Sequence, residues 1–365
     1  MRERGKSKTR DGESLPLRNA PVAHEVRESV EARSLLPLPP RQRLLVSVAL
    51  GFLAAFVSMF NAMSPRHRDF TVVWQATRAL LHGQDVYTAI PGLLYPLPGI
   101  VAAVPFAGLY PAPLACGLFM LLGATAFAWA LSAHGWSALI GFASAGMYVA
   151  AVWVQWSPLY AGAFAVAPLG VFLVVKPHTG LPILLARPSW WAVGSGLVCV
   201  FVAFVVDPAW LEHWRESLAI GRGHLGAAPT GLPYTAPVLL PGGFAVLLAL
   251  TRWRRPEARL LVALACVPQS LLIYETVPLA LIPRGWKEAC AFTALTYLVF
   301  WWLPSPELSF PEFVLSSGRV STLLVYLPCT LMVLRRPNEG TIPAWLETRI
   351  TAWPSWLRGR AVEHA

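Results

Sequence analysis

Charge is what this chain has least of. Only 13% of its 365 residues are Asp, Glu, Lys or Arg, and 56% are hydrophobic, against roughly 25% charged in an ordinary soluble domain. That balance excludes a soluble globular fold and predicts a polytopic membrane protein. The five cysteines, Cys116, Cys199, Cys266, Cys290 and Cys329, all fall inside apolar runs. They show neither a zinc spacing nor a disulfide framework and read as small hydrophobes. Acids are outnumbered, 19 against 29 Lys and Arg, for a formal charge of +10. Basic residues beside apolar spans follow from the positive-inside rule, so nucleic acid is not an expected partner.

What is present is a series of apolar runs. At roughly 20 residues per helical span, they predict an all-α fold with about ten to twelve membrane helices, some of them short. Residues 1–43 carry ten Lys or Arg, six Asp or Glu and five prolines, a composition that reads as a disordered cytoplasmic tail. It is too long for the basic region of a secretory signal. Residues 44–334 form the expected transmembrane domain. Residues 335–365, with Trp345, Trp353 and Trp356 among arginines, read as a cytoplasmic tail on the membrane surface.

The first run, 44–60, delivers residues 61–92 to the extracytoplasmic side. There Asp69, the sole acid between Glu31 and Asp85, is placed to cap a helix running from Phe70 to about His82, with Gly83 as its stop. Phe70, Val73, Trp74, Thr77 and Leu81 recur at spacings of three and four, one apolar stripe for a helix lying along the membrane, with Arg78 and His82 toward water. Further spans are expected at 93–109, 111–131 and 136–153, with a polar break at Gln155.

The run 159–186 is interrupted by Lys176-Pro177-His178-Thr179-Gly180. Read as a hairpin of two short helices, it puts Lys176 and His178 on the side of Asp69 and leaves Arg252, Arg254 and Arg255 in the cytoplasm. Tyr274-Glu275 interrupts a second run in the same way. After the span at 190–206, Asp207-Pro208 reads as an N-cap and first helical residue. The helix so started has Trp210, Trp214 and Leu218 on one face and ends in a glycine-rich loop holding Arg222 and His224.

The order of Asp69, Ala79, Gly83, Asp85, Tyr87, Tyr95-Pro96 and Pro105, followed by Gln155 with Pro158, Lys176-Pro177 and Trp210, resembles glycosyltransferase family 87. These are polyprenyl-phosphate-mannose-dependent mannosyltransferase-like proteins of the GT-C superfamily. The resemblance covers roughly residues 44–283. It implies a GT-C fold in a bacterial plasma membrane and transfer of a hexose, mannose by default, from a polyprenyl phosphate at the extracytoplasmic face. No nucleotide sugar and no metal or other cofactor is implied. Asp69 is the implied catalytic base.

Inverting transfer needs a base for the acceptor hydroxyl and a cation for the leaving phosphate. Lys176, His178 and Arg68 are the donor-phosphate candidates, since an ionisable group in an apolar run faces a cavity or a partner. Asp85, Tyr87, Glu275, Arg222 and His224 are candidates for contacts with sugar or acceptor, which is a lipid or glycan. Each has a plainer reading: Asp69 as a helix cap, Asp85 as a turn residue, Lys176 as a snorkelling lysine, Tyr87 and Tyr95 as interface anchors. Hydrolysis ranks lower, because Asp69 and Asp85 are 16 residues apart and no local geometry pairs them across a bond. A lipid or glycan transporter using the same cavity, and a noncatalytic scaffold, are the competing classes.

Overall fold

The computed structural model describes residues 38–63, 69–109, 111–224, 235–270, 272–302 and 309–340, together with residues 342 and 347. The chain is mostly helical, and an isolated bridge pairs Thr235 with Gln269. Its α-helices are α1 (Pro40–Ala62), α2 (Asp69–Leu81), α3 (Ala112–Ser132), α4 (Ala145–Trp153), α5 (Ser157–Ala163), α6 (Pro177–Ala186), α7 (Trp190–Val206), α8 (Trp210–His224), α9 (Pro256–Cys266), α10 (Gly285–Trp301), α11 (Phe310–Ser321) and α12 (Leu327–Leu334). Shorter helices and 3-10 segments join them.

Among the described residues, three helical stretches are long and apolar enough to cross a membrane: α1, α3, and the continuous run Glu312–Leu334 through α11 and α12. Two bent pairs raise the count to five if each is one span. This is fewer than the ten to twelve spans expected, and proline is one reason. Pro98, Pro105, Pro158, Pro168 and Pro177 each sit in the first turn of a new short segment, where a missing N–H costs nothing. The run 93–109 becomes two short helices, Leu97–Ala102 and Val104–Ala107. The run 136–153 bends by 54° at Ser144, whose hydroxyl accepts from the Met147 N–H. The helix boundary also moves at the start, where α1 takes in Arg41 and Arg43 from the expected tail.

The helices α1 and α3 pair antiparallel. Arg43, at the start of α1, donates to Ser132 Oγ at 3.2 Å and to the Trp129 carbonyl at 3.0 Å, at the end of α3. Gly51 lets α1 approach Thr125 and Leu121, and Gly117 lies against Met59. The outward faces of α1 and α7 carry exposed Phe52, Phe56, Phe60, Leu197, Phe201 and Val205. Such a surface is compatible with an integral membrane protein, because a bilayer would cover it.

The interior below α2 is an aromatic cluster. Phe70 stacks on Phe119 at 4.2 Å between centroids and meets Phe106 edge-on at 5.6 Å. Phe119 meets Trp156 at 4.6 Å, and Phe172 closes the group against Phe106 at 5.9 Å. Such pairs add about 0.5–1.5 kcal/mol each beyond their area. The cluster draws α2 inward: Phe70, Val73, Trp74 and Thr77 are buried as expected, but Leu81 is 58% exposed. Arg78, expected in water, instead donates to the Ala107 carbonyl at 3.0 Å, so a second side of α2 is also tied to the protein.

The chain turns by 93° between α7 and α8. Asp207 makes the corner, accepting from the Ala209 N–H at 2.9 Å and meeting His213 Nδ1 at 2.8 Å. The helix therefore starts at Trp210 rather than at Pro208. Trp214 Nε1 and Ser217 Oγ donate to the carbonyls of Leu94 and Leu93, each at 3.1 Å, which docks α8 over the loop preceding Tyr95.

Close backbone approach also fixes α6, since a Cβ on Gly180 would lie 2.0 Å from the Leu173 carbonyl oxygen. Gly180→Ala is expected to destabilise the protein by about 1–3 kcal/mol through overpacking. Gly194→Ala, whose Cβ would meet nothing within 4 Å, is expected to stabilise α7 by about 0.5–1 kcal/mol. Thermal unfolding of the two variants in detergent measures the difference.

Candidate functional site

Three separate breaks in the apolar sequence meet at one place. Asp69 is the first residue of α2, Lys176 directly precedes α6, and Gln155 lies between α4 and α5. Lys176 Nζ donates to Asp69 Oδ2 at 2.6 Å and to Gln155 Oε1 at 3.4 Å. It also lies 5.7 Å and 5.8 Å from the ring centroids of Tyr95 and Tyr274, within the range of a cation–π contact. The lysine side chain is 12% exposed and that of the aspartate 35%, so the pair is sheltered from water but open to a cavity.

Local sequence explains how the groups are held. Asp69 precedes Phe70, Gln155 precedes Trp156, and Lys176 follows Phe172 by one turn, so all three site residues are tied to the aromatic cluster. Val154, before Gln155, has φ of 51°, a left-handed conformation that strains a β-branched residue. The strain is held by full burial and turns the chain out of α4 at the point where Gln155 meets Lys176. Gly99 brings the Leu97–Ala102 helix so close that a Cβ there would lie 2.7 Å from the Val175 Cα, which locks the Tyr95 loop beside Lys176.

The cavity has a volume of about 640 Å³ and is lined by Asp69, Tyr95, Gln155, Lys176, His178, Ser270, Tyr274 and Glu275 among others. Glu275 is buried and accepts from Ser270 Oγ at 3.3 Å. Four of the residues singled out in the sequence, Asp69, Lys176, His178 and Glu275, thus share one wall-to-wall space. Tyr95, Tyr274 and Gln155 join them. In the sequence Tyr95 reads as an interface anchor, Gln155 as a break, and Tyr274 only as the neighbour of Glu275. Burial among polar partners is what distinguishes them.

Asp85 and Tyr87 are elsewhere. They line a second cavity of about 400 Å³ with Asp207 and His213, which shares no lining residue with the first. Asp85 caps the short helix Val86–Ala89 by accepting from the Tyr87 N–H at 3.1 Å and from the Thr88 hydroxyl. Burial pushes its carboxyl upward, but those hydrogen bonds win and hold it below the usual range. Its role is the turn residue. Tyr87 donates to the Tyr95 carbonyl at 3.3 Å, bracing the loop above the first cavity. Arg68, and the side chains of Arg222 and His224, lie outside the described residues. Among the described residues, no three His, Cys, Asp or Glu side chains gather as a metal site would require.

No protein-family model, curated protein or solved structure matches this chain. Its functional reading rests on its residues and their geometry.

The Asp69–Lys176 pair sets an anion and a cation 2.6 Å apart on one wall of the cavity. Removing one partner from a half-sheltered pair costs between the 0–1 kcal/mol of a surface pair and the 3–5 of a buried one. Asp69→Asn is expected to lower stability by about 2 kcal/mol, and the double variant Asp69→Asn/Lys176→Met by less than the sum of the singles. Chemical denaturation in detergent checks the coupling.

His213 reports on the α7–α8 corner. The hydrogen bond it donates to the Asp207 carboxylate raises its pKa above 6.5. A raised histidine contributes stability that is complete below 6.5 and is lost as the pH rises through the folded-state pKa. The difference in thermal midpoint between the wild type and His213→Gln should shrink over that window, and an NMR titration of the ring should fall back toward 6.5 in Asp207→Asn.

Proposed function

We propose that this protein is a membrane glycosyltransferase of the GT-C type, resembling family 87. It transfers a hexose, mannose by default, from a polyprenyl-phosphate donor to a lipid or glycan acceptor. The observation that carries the reading is one cavity joining a carboxylate, an ammonium and an apolar groove. The groove, about 360 Å³, is lined by Leu173, Leu181, Leu184, Leu197 and Trp210 among others, and shares Pro96, Pro177 and Trp214 with the cavity. A phosphate bearing a hydrocarbon chain matches that pairing, with its head at Lys176 and its chain along α6 and α7.

In this reading the donor phosphate displaces Asp69 from Lys176, and the freed carboxylate turns to the acceptor hydroxyl. The acceptor oxygen bonds to the anomeric carbon as the bond from that carbon to the phosphate oxygen breaks. The bonding pair leaves with the polyprenyl phosphate, whose growing charge Lys176 offsets, and the acceptor proton passes to Asp69. His178, Glu275, Tyr95 and Gln155 line the space left for the sugar and the acceptor.

Transfer from radiolabelled polyprenyl-phosphate mannose, in membranes carrying the full chain, tests the assignment. Asp69→Asn is expected to lower kcat by roughly 10²–10⁴, and Lys176→Gln to lower kcat/KM. Undiminished transfer by Asp69→Asn would remove the base. Movement of the labelled lipid across the membrane with no new glycosidic bond would instead favour the transporter class.

A further inference from the structure

The end of the molecule away from Asp69 holds a second charged cavity, of about 460 Å³, lined by His134, Arg187, Glu257, Arg259 and Arg284 among others. Ala130, Ala133 and His134 place it at the end of α3 that Arg43 joins to the start of α1. The 23 residues of α1, at 1.5 Å per residue, span about 34 Å, and Asp69 follows the opposite end of that helix. The two cavities are therefore distinct places, at opposite ends of the α1–α3 pair.

The charge here is unbalanced. Glu257 is the one carboxylate among the lining residues, and it is already shared by Arg255 at 3.2 Å, Arg336 at 3.4 Å and Arg284 at 3.6 Å. Arg259 is a brace, with its guanidinium spent on the carbonyls of Ala186, Trp253 and Arg254. Arg187 and Arg284 are different. Arg187 gives one donor, Nη1, to the Phe164 carbonyl at 2.8 Å and is otherwise exposed. Arg284 lines the cavity with its Nη1 buried and without a hydrogen-bond partner among the described residues. That atom is closed off from the cavity, so a ligand there would meet the rest of the Arg284 side chain, which is 30% exposed.

We infer that this cavity binds a phosphate ester, held by the guanidinium groups of Arg187 and Arg284. Guanidinium forks match phosphate oxygens in pairs, and the volume falls in the range of small-molecule sites, larger than a bare phosphate needs. Burial and the neighbouring Arg284 push the His134 imidazole down to about 3. It is neutral at pH 7, so it offers the ester one donor and one acceptor rather than further charge. An anionic lipid headgroup and a soluble phosphate compound present the same chemistry. A basic pocket at the end of apolar helices is reached from either the lipid or the aqueous side.

The test measures binding to the full chain in detergent, with two probes: inorganic pyrophosphate, and phosphatidic acid in mixed micelles with phosphatidylcholine as the neutral reference. Measured in a Lys176→Gln background, which removes the phosphate site proposed above, Arg187→Gln and Arg284→Gln are each expected to weaken binding of the active probe at least tenfold. Because Arg284 also touches Glu257, its loss can unsettle folding. Arg187→Gln, which gives up one exposed hydrogen bond and a cation–π contact, both to Phe164, keeps the test decisive. Saturable pyrophosphate binding would name a soluble ligand, and preference for phosphatidic acid over phosphatidylcholine alone a headgroup. Binding of neither probe by the wild type, or unchanged binding by Arg187→Gln, would overturn the site, whether or not the protein transfers sugar.

Discussion

An ammonium and a carboxylate 2.6 Å apart, set in a chain with few charges, are the constraint around which the rest is arranged. Removing either charge from water is expensive, and their attraction repays it only with good geometry and further hydrogen bonds. Gln155 supplies one such bond, and the faces of Tyr95 and Tyr274 supply the softer contacts. None of these residues is near another in sequence, apart from what the fold brings together. The aromatic cluster of Phe70, Phe106, Phe119, Trp156 and Phe172 does that work, because three of its rings lie within one turn of a site residue.

The same constraint explains the broken helices. A proline-started segment leaves carbonyls and N–H groups without helical partners, and within an apolar layer such groups survive only where protein or a cavity receives them. The breaks at Lys176, Gln155 and Glu275 therefore converge on one space, each giving its polar residue a wall of the cavity. At the far end cations are in surplus. Arginines from the segments before α9 and α10 and after α12 gather around Glu257 and Glu288. Arg254 pairs with Glu347 at 2.7 Å. The molecule is polarised along α1 and α3, with a neutralised pair at one end and surplus cation at the other.

Much of the candidate site was legible in the sequence, for a physical reason. Asp69, Lys176 and Glu275 interrupt or border apolar runs, and an ionisable group there must find a partner or a cavity. Tyr95 and Tyr274 were not legible as site residues, because an aromatic ring in an apolar run has equal use as core, as membrane anchor or as a platform for a cation. Asp85 carried the same chemical promise as Asp69, yet its side chain is consumed by its own turn. The helical stripe of α2 was readable at Phe70, Val73, Trp74 and Thr77 but failed at Leu81 and Arg78. Periodicity finds the face that is buried and not the depth to which neighbours bury it.

The sequence by itself determined that the chain is helical and apolar, where its helices break, and which charged residues could not be left alone. Those are local properties, written in composition, proline positions and hydrophobic period. Only the tertiary structure decided which break meets which, how many helices keep the length of a span, and that Asp85 and Tyr87 belong to a different cavity from Asp69. These depend on close approach at Gly99 and Gly180, on the 93° corner at Asp207, and on ring packing between distant segments. Contacts of that kind are set by the shapes of surfaces far apart in the chain, which no local pattern encodes.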